Sequence, residues 1–244
     1  MKRLLAILPI SLLFAGCSMT GTYQSARVLE KGTSAFGLSF GSVGVEVKDS
    51  ANVDSSATFS WPIIIPDVTF RTALSDHIEI GGKVSVGSLG LEGDLKWGFL
   101  QGERFCMAVA PALYGQNALF MKGSGFTLPV LASYDINETF SINGSVFSSF
   151  SRFSSDLSGV DSILTALVGD VNATGGSLGL EFSGKVFHIR PVIEVSRMAP
   201  LKPEEVDWQP FKRTRFVLHL GFVLGKEKKQ LDRLEEKLDK SLEK

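Results

Sequence analysis

Ionisable side chains recur at every second position in several segments of the sequence, with apolar side chains between them. Residues 77–85, for example, place His77 and Glu79 on one side of an extended chain and Ile78 and Ile80 on the other. Successive side chains of a strand point to opposite faces, so this pattern gathers charge on one face. The full set is Arg71, His77, Glu79, Lys83, Glu92, Asp94, Lys96, Glu181, His188, Arg190, Glu194, Arg215 and His219.

A charged face of this kind can have three roles. Enclosed in a narrow barrel, the charges can pair across a partly hydrated lumen and fix the strand register, which is the interpretation that we favour. A small polar conduit or ligand site is the alternative, although about ten strands make a barrel much narrower than a porin. An enzyme is a third possibility, but His77, His188 and His219 have no adjacent Ser-His-Asp motif and no metal-site spacing. We therefore predict no catalytic residue, no metal and no cofactor.

The elements that carry these side chains are predicted to be strands. Residues 89–99 set Leu95 and Trp97 against Asp94 and Lys96, and a helical period of 3.6 would mix the two sets. The predicted strands are Ala35–Glu46, Asp67–Thr72, His77–Ser85, Leu89–Phe99, Phe105–Gly115, Phe126–Tyr134, Thr139–Ser148, Gly176–Ser183, Val186–Val195 and Arg213–Leu224. The pattern predicts an all-β fold: an antiparallel up-and-down transmembrane β-barrel of about ten strands over 34–224, with a short C-terminal helix.

The predicted connections alternate in length along the chain. Four are short, at residues 73–76, 100–104, 135–138 and 184–185. Four are longer, at residues 47–61, 116–125, 149–175 and 196–212, and Gly87-Ser88 is one tight turn on the long side. Outer-membrane barrels have short periplasmic turns and longer outer loops, so the alternation favours such a barrel. An even number of strands then places both termini in the periplasm.

The N-terminus has the pattern of a secretory signal peptide. Residues 1–3 are Met-Lys-Arg, residues 4–14 are mostly apolar, and two small residues precede Cys17. The apolar run is shorter than the ~20 residues that a transmembrane helix needs, so we expect cleavage rather than a permanent span.

Residues 14–17, Phe-Ala-Gly-Cys, resemble the lipobox of bacterial lipoproteins. The resemblance implies that residues 1–16 are removed, that Cys17 carries a covalent diacylglyceryl and acyl lipid, and that residues 17–33 form a lipidated tether. Ser18 after the cysteine implies sorting to the outer membrane. The alternative is an ordinary cleaved signal peptide in which Cys17 is incidental.

The composition limits the classes of partner and the roles of the two cysteines. The formal net charge of -1 gives no strongly basic balance, so we do not expect nucleic acid as a partner. The predicted barrel and lipid anchor make outer-membrane lipid the expected partner. Cys17 and Cys106 are the two cysteines. If Cys17 is the acyl acceptor, then Cys106 is a lone buried thiol, and its position among alternating alanines predicts a packing role.

A soluble β-sandwich or lipocalin-like lipoprotein is the remaining structural alternative, because alternation alone does not say which face meets water. The loop asymmetry and the export signal favour the membrane barrel. Residues 72–80, TALSDHIEI, and residues 91–99, LEGDLKWGF, resemble the broad group of bacterial outer-membrane β-barrel proteins and lipoproteins. We predict an envelope-structural or surface-binding role through the longer loops, with a narrow transport or ligand-binding barrel as the alternative.

The chain continues past the last predicted strand as a highly charged segment over 225–244. Its leucines, Leu231, Leu234, Leu238 and Leu242, are spaced to line one side of a helix. We predict a charged amphipathic periplasmic helix, with self-association through 226–244 as a possible role.

Overall fold

The strands of the barrel account for most of the part of the chain that the structure describes. The computed structural model describes residues 23–48, 56–86, 89–118, 121–155, 169–184, 186–201 and 210–224. Its strands are β1 Ser34–Lys48, β2 Ser56–Ala73, β3 Ile78–Ser85, β4 Gly90–Gln101, β5 Phe105–Val109, β6 Ala112–Ala118, β7 Met121–Asp135, β8 Phe140–Ser155, β9 Gly169–Ser183, β10 Phe187–Pro200 and β11 Phe211–Leu224.

These strands form one closed antiparallel barrel. Each strand pairs with its neighbours in the chain, and β1 pairs with β11 from Ser34–Leu224 to Glu46–Lys212, which closes the sheet. β5 and β6 are two parts of one barrel strand, because both pair with β4 on one side and β7 on the other. The described residues therefore contain ten barrel strands, and closure leaves no unpaired edge.

The ten predicted strands are confirmed, and so is the all-β barrel fold. Pro129 and Pro191 lie within β7 and β10, whereas Pro111 falls in the gap between β5 and β6. A proline has no N–H to donate to a ladder, yet only one of these three positions interrupts its strand. No described residues form a helix long and apolar enough to cross a membrane.

The two ends of the barrel differ, and we name them by their connections. The turn rim is the end with the short connections 74–77, 102–104, 136–139 and 184–186. The loop rim is the opposite end, where β1 joins β2, β8 joins β9 and β10 joins β11. Ser34 pairs with Leu224, so β1 begins and β11 ends at the turn rim.

Apolar side chains face outward and charged side chains face inward over most of the barrel height. Leu95 and Phe216 are 47% and 55% exposed, whereas Glu79 and Arg215 are 0% and 1% exposed. A soluble sandwich or lipocalin-like barrel would have the opposite distribution, so that alternative is wrong. On β10 the outward apolar positions run from Phe187 to Val195, a band of about 20 Å at the usual strand rise and tilt.

The strands continue past this apolar band toward the loop rim, and there the pattern inverts. Lys122, Arg152 and Arg197 point outward, whereas Phe153 and Met198 are buried inside. The predicted loops 47–61, 116–125, 149–175 and 196–212 were therefore too long, because much of each is strand. The alternation of apolar outward and polar inward side chains ends at the edge of the apolar band, whereas the hydrogen-bonded ladder continues beyond it.

Several expectations fall outside the described residues. These are the signal peptide over 1–16, the lipidation site Cys17 and the C-terminal helix over 225–244.

Candidate functional site

An interlinked group of buried charges lies on β2, β3 and β4 near the turn rim. Arg71 donates from Nε to Glu79 Oε1 at 2.8 Å, and its two terminal nitrogens donate to the Asp94 carboxylate at 2.9 and 2.6 Å. Lys96 Nζ lies 2.6 Å from the other oxygen of Glu79. Glu79 and Lys96 are direct register partners, so their ion pair spans two adjacent strands. A β-carbon on Gly81 would lie 2.5 Å from Arg71 and 2.7 Å from Asp94, so glycine leaves room for that pair.

A second pair lies one step farther from the turn rim. Lys83 Nζ is 3.0 Å from Glu92 Oε2, and these residues are also register partners on β3 and β4. Like the pair of Glu79 and Lys96, it stabilises a single strand register, because a one-residue slip of either strand would turn the charge on that strand toward lipid and leave its partner unpaired.

The opposite wall, formed by β9, β10 and β11, carries its own ion pairs. Arg190 Nε donates to Glu181 at 2.9 Å, and Arg213 donates to Glu194 at 2.9 Å. Glu194 and Arg215 are register partners, and both are 1% exposed.

The two lumen histidines of this wall stack on each other. The ring centroids of His188 and His219 are 5.3 Å apart. A β-carbon on Gly221 would lie 2.1 Å from His188 Nε2, and one on Gly37 would lie 2.4 Å from His219 Cε1. The absence of side chains at these two glycines therefore makes space for the histidine rings.

His77 does not join this set. The structure begins β3 at Ile78 rather than at His77, and His77 is an exposed residue of the turn, with Nδ1 2.9 Å from the Gly98 carbonyl oxygen. The predicted position of His77 in the lumen is wrong. The alternation of apolar and charged side chains includes His77, but the ladder between β3 and β4 ends at the next residue, with the pair of Ile78 and Trp97.

The N-terminal segment, residues 23–30, lies inside the barrel. This position was not predicted, because the sequence indicated only a tether over residues 17–33. The barrel wall binds its main chain. Ala26 N–H donates to Ser133 Oγ at 2.7 Å, Val28 N–H to Gln101 Oε1 at 3.0 Å, and Leu29 N–H to Glu79 Oε2 at 2.8 Å.

The carbonyl groups of the N-terminal segment are bound in the same way. Lys96 Nζ donates to the carbonyl oxygens of Ser25 and Arg27 at 3.2 and 2.9 Å. Gln101 Nε2 donates to the Ala26 carbonyl at 3.0 Å, and Arg190 donates to the Tyr23 carbonyl. The charges predicted to fill the lumen thus also hold a length of extended chain there.

Side chains of the segment, first Ala26 and Arg27, add specific contacts. Ala26 is fully buried in a cluster with Cys106, Ala108, Ala110 and Leu131. The Arg27 guanidinium pairs with the Asp135 carboxylate near the turn rim.

Tyr23 is the innermost described residue of the segment. It packs against Val192 and Val217, with the Lys83 ammonium 5.7 Å and the Arg215 guanidinium 5.3 Å from its ring centroid. Such contacts of a cation with a desolvated ring are attractive. Burial raises the pKa of the Tyr23 phenol, so the ring stays uncharged.

Apolar and hydroxyl side chains fill the lumen toward the loop rim. Phe147, Phe153 and Val171 are 5% exposed or less, and the Tyr114 hydroxyl hydrogen-bonds to Ser151. We call this group, together with Met198 and Phe211, the apolar layer. Part of it, around Phe153 and Met198, lies at the height where the outer surface becomes polar.

A cavity of about 430 Å³ runs beside the N-terminal segment. Its wall includes Glu181, His188 and Arg190 on one side and Arg71 and Asp94 on the other. The cavity is therefore lined by the predicted lumen residues, most of which already have ion-pair partners.

The described residues give no catalytic arrangement. Ser39 Oγ lies 2.8 Å from His219 Nδ1, which is the distance of a nucleophile and its base, but Ser39 does not line the cavity. No group of three His, Cys, Asp or Glu side chains in the described ranges is placed to hold a metal ion.

The fold resembles solved outer-membrane proteins, although the sequence matches no protein-family model and no curated protein. An outer-membrane channel of Pseudomonas putida F1 superposes with a TM-score of 0.52 and 7% identity, over 84% of this chain and 100% of that chain. The outer-membrane protease OmpT of Escherichia coli gives 0.39 and 10%, over 82% and 99%. OprG of Pseudomonas aeruginosa gives 0.33 and 13%, over 81% and 98%. This chain has the fold of a bacterial outer-membrane β-barrel.

Proposed function

We propose that the protein is a closed outer-membrane barrel with an envelope-structural or surface-binding role, acting through its loop rim rather than by passing solutes. The observation that carries the proposal is that buried groups occupy the lumen at two heights. Residues 23–30 fill part of the lumen nearer the turn rim, and the apolar layer fills it nearer the loop rim.

The extension beyond the membrane band supports the surface role. From Phe126 to Lys122 on β7 and from Phe150 to Arg152 on β8, outward side chains change from apolar to charged while the ladder continues. Arg152 and Asp170 form an ion pair at 2.8 Å between β8 and β9 there. A rigid, polar rim of this kind is suited to contact with other surface molecules.

Conductance of the folded, purified protein in planar lipid bilayers tests the proposal. We expect no discrete conductance steps at either polarity, because ions would have to cross the apolar layer. A variant with Phe147→Ser and Phe153→Ser serves as the matched comparison, since it makes the same barrel polar at that height. Steady open-channel steps from the unaltered protein would contradict a closed barrel.

The second candidate is a narrow ligand-binding or transport barrel. The 430 Å³ cavity beside the N-terminal segment favours it, because charged and hydroxyl groups converge there. Uptake of small charged solutes into vesicles containing the protein, at a rate above that of empty vesicles, would support this candidate over the first. We propose no reaction for the chain.

Lipid anchoring through Cys17 is part of the same proposal, with both termini in the periplasm and outer-membrane lipid as partner. Incorporation of radiolabelled palmitate by the wild type and its loss in Cys17→Ala is the expected result. The variant should remain in the membrane fraction after carbonate extraction, since the barrel itself has a lipid-facing band. Labelling of the variant would contradict Cys17 as the acceptor.

A further inference from the structure

The barrel binds residues 23–30 chiefly through their main chain. Lys96, Gln101 and Glu79 together make five hydrogen bonds to main-chain groups of residues 25–29. Hydrogen bonds to the main chain do not depend on the side chains of the bound segment. A site of this type therefore accepts an extended peptide wherever a few side chains also fit.

Those side-chain requirements are few and can be named. The position of Ala26 requires a small side chain, because Cys106 and Leu131 enclose it. The position of Arg27 favours a basic side chain next to Asp135, and that of Tyr23 favours an aromatic ring between two cations. The pattern is an aromatic residue, two variable residues, a small residue and a basic residue.

The segment can also leave without disturbing the barrel ladder. It forms no β-ladder with the described strands, and its contacts with the wall are side-chain contacts. A turn joins it to β1, in which Thr33 N–H donates to the Glu30 carbonyl at 2.9 Å. Gly32 in that turn has φ +77°, and its N–H donates to the Ala73 carbonyl at 3.3 Å, so this turn is the point at which the segment is held to the barrel wall. The neighbouring cavity gives the segment room to move.

We propose that this half of the lumen is a binding site for an extended peptide. Residues 23–30 occupy it as the resident ligand, and a free peptide with the same pattern replaces them when they swing out about Gly32. This site is separate from the loop rim, so the inference does not depend on the barrel being non-conducting.

Ala26→Asp in the full chain provides the test, because an aspartate cannot be accommodated in the fully buried cluster around Cys106 and expels the segment. The probe is a fluorescein-labelled peptide of residues 21–31, with wild-type sequence or with Asp at position 26 as the matched control. We expect the Ala26→Asp barrel to bind the wild-type peptide at least tenfold more tightly than it binds the control peptide. The wild-type barrel, already occupied, should bind the wild-type peptide at least tenfold more weakly than the variant does.

Cys106 supplies an independent readout in a Cys17→Ala background, where it is the sole thiol. Maleimide should label Cys106 at least tenfold faster in Ala26→Asp than in the parent, and the wild-type peptide should restore slow labelling. Heat-modifiable gel mobility verifies that each variant is folded. Equal binding of the two peptides, or an unchanged labelling rate in the folded variant, would show that the segment is a fixed part of the wall and overturn the proposal.

Discussion

Lys96→Met should destabilise the barrel far more than a surface substitution, because Lys96 joins the wall to the N-terminal segment. The change removes the 2.6 Å pair with Glu79 and two hydrogen bonds to main-chain carbonyls. Glu79, which is fully buried, then keeps only Arg71 as its cationic partner. Removing one member of a buried ion pair costs about 3–5 kcal/mol, and we expect a loss of that size in the free energy of unfolding.

Urea unfolding in lipid vesicles, followed by tryptophan fluorescence, measures this loss. Lys212→Met is the matched control, since Lys212 is exposed on β11 and its replacement should cost less than about 0.5 kcal/mol. Combining Lys96→Met with Ala26→Asp separates the two roles of Lys96. When the segment is already expelled, the Lys96 penalty should fall by about 1–3 kcal/mol, because two of its acceptors have left. Equal costs for Lys96→Met and Lys212→Met would refute the reasoning about the buried network.

Three further predictions concern the lipid face, the histidine stack and the tail. Leu95→Arg should lower the free energy of unfolding in lipid vesicles by about 2–4 kcal/mol, because Leu95 faces the middle of the apolar band. An unchanged free energy of unfolding would indicate that this face of the barrel meets water. Gly221→Ala should cost about 1–3 kcal/mol, since the added β-carbon overlaps His188; a stability equal to wild type would show that the ring moves freely. Deletion of residues 226–244 should lower the oligomeric state measured by analytical ultracentrifugation, and an unchanged oligomeric state would exclude self-association through this tail.

The strands and the direction in which their side chains face could be predicted because a membrane constrains every second residue. Leu95 and Asp94 are neighbours in the chain, yet one meets lipid and the other is enclosed. That requirement leaves an alternation in the sequence at each spanning strand. The closing pairs of β1 with β11 then follow from the even number of strands.

The extent of the strands at the loop rim could not be predicted from the same signal. Phe153 and Met198 point inward at positions where the lipid pattern requires polar residues, so the pattern ends before the strand does. His77 shows the converse error at the turn rim, where alternation continues for one residue beyond the ladder. Both errors arise because the sequence pattern reports the environment of side chains rather than the hydrogen bonds of the main chain.

The sequence contains even less information on the position of residues 23–30 than on the ends of the strands. The wall recognises their N–H and carbonyl groups, which every residue other than proline possesses, so no periodicity marks the segment. Ala26 is the one side chain whose small size is required, and a single alanine is not a signal. The partners on the wall, such as Gln101 and Ser133, were likewise absent from the predicted set because they are uncharged.

The buried charges therefore have two roles that the sequence could not separate. Glu79 and Lys96 pair across β3 and β4, which fixes the register, and both also bind the main chain of the N-terminal segment. Residues 25–29 donate to Glu79 and accept from Lys96, so release of the segment should lower the stability of the barrel without breaking its ladder.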